Sequence, residues 1–269
     1  MPKPIQDRVA ELLEGLDGFV ALRKTAAGVA PHLFRKGDDV SGLVLAPRYP
    51  LASVVGLIHK RHPAARIGVV ARACDVRALV EMATRRQVDP GQLFLLAVAC
   101  DGETAEACHC DRPGPGVDGW PHAEVMGTPG HTGTVQPLLA GYDALTLPER
   151  RAFWQRQFLK CIKCYGCRNI CPECFCEQCT LEDETFVEKG VAAPPFPMYH
   201  LVRAMHMASR CVGCHLCEGA CPAGIPLTVL YALMRRDVEK RLDFVPGESL
   251  SARPPLSLSL ADGPLHLDE

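Results

Sequence analysis

Cys161-Ile-Lys-Cys164-Tyr-Gly-Cys167-Arg-Asn-Ile-Cys171-Pro172 is matched, fifty positions on, by Cys211-Val-Gly-Cys214-His-Leu-Cys217-Glu-Gly-Ala-Cys221-Pro222. Both read C-x2-C-x2-C-x3-C-P. Three thiolates two residues apart can wrap a short loop around one iron–sulfur cube. The fourth cysteine, followed by proline, leaves that loop in a new direction and is free to reach a second cube.

The paired runs resemble those of bacterial dicluster ferredoxins. That resemblance implies two 4Fe-4S clusters, with the fourth cysteine of each run serving the other cluster. Cys161, Cys164, Cys167 and Cys221 would then hold one cluster, and Cys211, Cys214, Cys217 and Cys171 the second. The crossover would tie both runs into one domain. Structural zinc is the competing reading of paired C-x2-C elements, but it has no use for a third cysteine and a C-P in both halves. A disulfide framework fits poorly with 15 cysteines, an odd number, and with an amino terminus that carries no secretory signal.

Between the runs stands Cys174-Phe-Cys176-Glu-Gln-Cys179. Three readings stay open for Cys174, Cys176 and Cys179: a further metal site completed by an outside ligand, replacement of Cys171 as a ligand by one of them, or thiols packed beside the clusters. Lys160, Lys163, Arg168 and Arg210 flank the ligand positions, where cations stabilise a reduced cluster, steer a redox partner or simply face solvent.

Toward the amino terminus the pattern changes. Residues 4 to 14 predict a short helix, and GFVALRK and GVAPHLF predict two strands joined by a turn. LVLA from position 43, RIGVVA and LFLLAVA read as buried strands, with helices over 50 to 60 and 75 to 87 between them. Strands alternating with helices predict a mainly parallel, three-layer α/β sheet. Cys74 and Cys100 follow two of those strands and so fall at the carboxyl edge, where ligands usually bind. Cys108-His109-Cys110 comes soon after in a loop. Cys74, Cys100, Cys108 and Cys110 therefore suggest a third 4Fe-4S cluster, with Asp75 and Asp101 as neighbours; zinc, or buried thiols beside an unrelated C-x-C, are the alternatives.

Residues 111 to 143 are rich in Gly and Pro and read as an extended connection or docking surface containing Trp120, His122 and His131. Thr146-Leu-Pro-Glu149 is a capping box that opens a helix bearing Phe153, Trp154 and Phe158. A second helix, 197 to 209, carries Leu201, Val202, Met205 and Ala208 toward the second run, so helix then cysteine run occurs twice. LTVLYALMRRDVEKRL, from Leu227, is a third helix. The expected organisation is an α/β domain over 1–143, an α+β dicluster ferredoxin-like domain with flanking helices over 144–242, and an extended tail over 243–269 laid along a partner or disordered.

Composition narrows the function classes. The chain has 269 residues, 48% of them hydrophobic, and a formal net charge of −2, which gives no electrostatic case for nucleic acid. Its longest apolar stretch, Leu93 to Cys100, is far short of the roughly 20 residues of a spanning helix. The expectation is a cytoplasmic protein that serves any membrane enzyme only as a peripheral subunit.

With Arg72-Ala-Cys74-Asp75, ALVEMATRRQVDP and the strand ending at Cys100 in place, residues 40 to 115 resemble the beta subunits of deazaflavin-linked hydrogenases and formate dehydrogenases. Together the two halves look like the iron-sulfur subunits beside formate dehydrogenases and heterodisulfide-reductase-like complexes of anaerobic metabolism. In the deazaflavin-linked family the ferredoxin part usually precedes the α/β part, whereas here it follows. No G-x-G-x-x-G fingerprint or P-loop is present, so binding of FAD or deazaflavin is implied by the resemblance alone. The resulting expectation is a non-catalytic electron-transfer subunit whose partners are the other proteins of a redox complex. The alternatives are a flavin-containing reductase, linked to deazaflavin or nicotinamide, and a structural zinc adaptor.

Overall fold

The computed structural model describes residues 4–130, 135–188 and 190–255. They divide into two compact units. The described residues of Met1–Asp101, Arg112–Gly130 and Gly247–Ala252 form the first, and those of Gly102–Asp111, His131–Pro246 and Arg253–Glu269 the second.

The first unit is an α/β sheet. Its helices are α1 (Ile5–Leu13), α2 (Leu51–Arg61) and α3 (Ala73–Thr84), and its strands β1 (Gly18–Thr25), β2 (Gly28–Phe34), β3 (Leu43–Val44), β4 (Ile67–Arg72), β5 (Leu93–Val98) and β6 (Ala123–Met126). The order is β2-β1-β4-β5-β6, with β3 also paired to β1. The β1–β2 hairpin and β3 are antiparallel, while the β1–β4, β4–β5 and β5–β6 pairs are parallel. Alternate residues of a strand face opposite ways. Phe19, Ala21, Val70 and Leu96 therefore share one face, where they pack with Val9 and Leu13 of α1. Helices α2 and α3 contact β1, β4 and β5 and add nothing to that cluster, as befits helices on the other face. Asp75 ties them together by accepting the N–H groups of Ala52 and Arg72 at 3.2 and 3.3 Å. Its burial raises its pKa to about 6.

One expectation here needs correction. The strand expected over LVLA shortens to Leu43–Val44, which pairs only with the far end of β1. Within 111 to 143, read as an extended connection or docking surface, the described residues include regular elements. Trp120 is buried and donates its indole N–H to Leu93 O at 3.1 Å, β6 completes the sheet, and Val135–Asp143 is helical. At the start of the expected tail, Gly247 N–H donates to the buried carboxylate of Glu81 at 3.0 Å. Most of the expected tail, 256–269, and His131 lie outside the described residues.

Among its described residues the second unit is helices and loops without a strand, so the β part of the expected α+β arrangement is not seen there. Its helices are α4 (Gly102–Ala107), α5 (Val135–Asp143), α6 (Leu147–Phe158), α7 (Gly166–Asn169), α8 (Met198–Met207), α9 (Leu216–Gly219) and α10 (Leu227–Leu242). Glu149 starts α6 by accepting both the N–H and the hydroxyl of Thr146 at 2.7 Å. The core, built from Phe158, Ala204, Met207, Ile225, Leu227 and Tyr231, packs against cysteines of both runs. Among the described residues no helix is long and apolar enough to cross a membrane.

Candidate metal centre

The two cysteine runs adopt the same backbone. Lys163 and Gly213, each two residues after the first cysteine, are left-handed at φ 54° and 66°; Tyr165 and His215, each one residue after the second, are left-handed at 58° and 60°. A left-handed side-chain-bearing residue costs roughly 1–2 kcal/mol. Its recurrence at matching positions shows that the two runs share one loop conformation. Each loop then enters a one-turn helix, α7 or α9, and the fourth cysteine closes that turn by donating its N–H to Arg168 O or Glu218 O.

Two cavities result. One is lined by Cys161, Cys164, Cys167 and Cys221, with Tyr199 and His200 in its wall. The other is lined by Cys211, Cys214, Cys217 and Cys171, with Glu173, Arg203 and Tyr231. Each takes three cysteines from one run and the fourth from the other. Cys164 is exposed, and the remaining seven of these cysteines are partly buried.

Electrostatics suits a cationic guest. Burial raises the Cys161 thiol, and the proximity of Cys167, Cys221 and Cys164 raises it further. Cys217 is pushed well up by burial and then by Cys214 and Cys211. Thiols so crowded resist ionising unless metal replaces their protons. Among the described residues no three His, Cys, Asp or Glu side chains gather closely enough to hold a single ion. A zinc site requires such convergence, whereas each thiolate of a multi-iron cluster binds its own iron. The donor set is compatible with iron-sulfur clusters.

The intervening cysteines separate. Cys176 is exposed and Cys179 partly buried. Cys174 is drawn in, where its thiol is lowered to about 5 by a hydrogen bond from Cys171 and by Arg203, and Cys171 is correspondingly raised. Of the basic residues singled out in the sequence, Lys160 donates to Gln157 and Lys163 to Glu188 O, Arg168 pairs with Glu182, and Arg210 lies over the Phe175 ring at 4.3 Å. Two arginines the sequence did not single out bring side-chain nitrogens toward sulfur. Arg203, buried on α8, donates to Cys174 Sγ at 3.2 Å and to Cys167 O at 2.7 Å. Arg235 places Nη1 4.0 Å from Cys211 Sγ.

Cys74 and Cys100 belong to the first unit. Cys74 opens α3, and Cys100 follows β5, donating to Pro113 O at 3.0 Å and accepting from Gly130 N at 2.9 Å. Since Arg72 pairs with Val98, both cysteines follow the carboxyl ends of neighbouring parallel strands. Cys108 and Cys110 belong to the second unit and are buried, with Cys108 O 2.9 Å from His215 Nδ1.

No protein-family model matches the chain. Over 101 residues, 38% of this chain, it is 40% identical to the F420-dependent formate dehydrogenase subunit beta of Methanocaldococcus jannaschii. Over 103 residues it is 43% identical to the F420-dependent formate dehydrogenase 1 subunit beta of Methanococcus maripaludis. These matches cover 27% and 26% of the relatives, so the homology reaches only about a quarter of their length.

Proposed function

We propose that this chain is an iron-sulfur electron-transfer subunit of a multi-subunit redox complex of the formate dehydrogenase kind, carrying a dicluster ferredoxin-like centre in its second unit. The observation that carries the reading is the pair of cavities, each lined by four cysteines drawn crosswise from the two runs. Cys161, Cys164, Cys167 and Cys221 hold one 4Fe-4S cluster and Cys211, Cys214, Cys217 and Cys171 the other. When bound, the clusters accept and release single electrons. The protein keeps the thiolates in place, excludes water with Tyr199, Tyr231 and Ile225, and offsets added negative charge with Arg203 and Arg235. Exposed Cys164, beside the exposed Ile162, marks the side on which a partner subunit exchanges electrons.

Anaerobic purification followed by iron and sulfide analysis tests this. About eight irons per chain and a 4Fe-4S EPR signal on reduction are expected; folded protein without iron or sulfide overturns it. A value near twelve calls for a third cluster beyond the two cavities. The second reading, a flavin-containing reductase, draws on the names of the relatives. It requires flavin in an extract of the cluster-loaded protein.

A further inference from the structure

Helix α8 turns two buried polar side chains inward, one to each cavity. His200, 3% exposed, lines the cavity of Cys161, Cys164, Cys167 and Cys221, and among the described residues neither ring nitrogen has a hydrogen-bond partner. Arg203, 4% exposed, lines the cavity of Cys211, Cys214, Cys217 and Cys171. Its two terminal nitrogens serve Cys174 and Cys167, but its Nε has no partner among the described residues.

A buried donor left without an acceptor costs about 1–3 kcal/mol, and native structures seldom leave one. Here two occur on one helix face at i and i+3. Aromatic rings surround the imidazole: Phe158 stacks on it at 4.1 Å and Tyr199 meets it edge-on at 5.1 Å. The acceptors must come from inside the cavities, and the sulfur atoms of an iron-sulfur cluster are acceptors of the right kind.

We propose that His200 donates a ring N–H to the cluster held by Cys161, Cys164, Cys167 and Cys221, and that Arg203 donates its Nε–H to the cluster held by Cys211, Cys214, Cys217 and Cys171. One helix thereby positions a donor on each cluster and sets both reduction potentials. The inference rests on the proposed cluster binding. Hydrogen bonds to cluster sulfur favour the reduced, more negative state and raise the potential.

The test uses the full chain, loaded anaerobically and checked for iron and sulfide before an EPR-monitored redox titration. His200→Phe keeps the ring stack and removes the donor. It should shift one potential downward and leave the other in place, and His200→Gln, which restores an N–H, should recover most of the loss. Arg203→Lys keeps the charge and removes Nε; it should lower the other potential by more than the first. If His200→Phe does not load, wild-type protein labelled with 15N-histidine serves instead, and its reduced pulsed-EPR spectrum should show a weakly coupled nitrogen that is absent from loaded His200→Gln. Fully loaded variants with wild-type potentials, or identical nitrogen couplings in both labelled proteins, overturn the inference and leave cluster binding standing. Wild-type protein without iron and sulfide removes both.

Discussion

Arg203 Nη1 donates to the Cys174 sulfur at 3.2 Å, so a guanidinium only 4% exposed is met by a sulfur that belongs to neither cavity lining. Burying a charge is tolerable when it is paired and hydrogen-bonded. Cys174→Ala should therefore lower the unfolding free energy by about 1–3 kcal/mol in a denaturant titration. Cys176→Ala, at an exposed position, should stay within about 0.5 kcal/mol of wild type.

Cys221 lies in the second run yet lines the cavity of the first. Cys221→Ser should cost about four irons per chain, and the double variant with Cys164→Ser should cost no more, because both remove the same cluster. Pairing Cys164→Ser with Cys171→Ser should abolish cluster iron altogether. Ligation confined within each run would give the opposite pattern in the iron analysis.

Gly68 on β4 faces Phe19 on β1, and a Cβ there would stand 2.3 Å from the phenylalanine ring. The collision falls inside a packed sheet. Gly68→Ala should destabilise by about 1–3 kcal/mol, read as an earlier urea midpoint for the first unit.

Arg236 clasps Asp143 with two hydrogen bonds, at 2.5 and 3.0 Å, linking α10 to the end of α5. Its donation holds the Asp143 carboxyl below the ordinary range. A depressed acid stabilises the fold above its unfolded pKa and loses that contribution as pH falls through the folded value. Asp143→Asn should thus melt earlier at neutral pH, and the gap to wild type should close below about pH 4. Salt should narrow it at neutral pH, since the pair is exposed.

What the sequence reveals depends on how local the cause is. β4, β5, α2, α3 and α10 lie within three residues of their expected positions because apolar spacing and flanking Pro or Gly act over a few residues. β6 escaped notice: four residues among Gly and Pro carry no period, and their pairing with β5 is a long-range event. On α8 the apolar spacing pointed to Leu201 and Met205, yet these are 45% and 62% exposed, while Tyr199, His200, Arg203, Ala204 and Met207 turn inward. A helix that walls a cysteine-lined cavity defeats a rule built for aliphatic cores. The cysteine spacing could be read directly, but Arg203 and His200 gain their meaning only once two distant loops meet them.

Cys164 and Cys176 are the exposed cysteines of the chain. Iodoacetamide attacks free thiolates and needs access to them, so metal-free protein offers it both. Once metal claims Cys164, that sulfur falls silent to the reagent while Cys176 still reacts. Peptide mass spectrometry of the alkylated chain therefore gives the fraction of molecules whose Cys164 is protected, without any spectroscopy of iron.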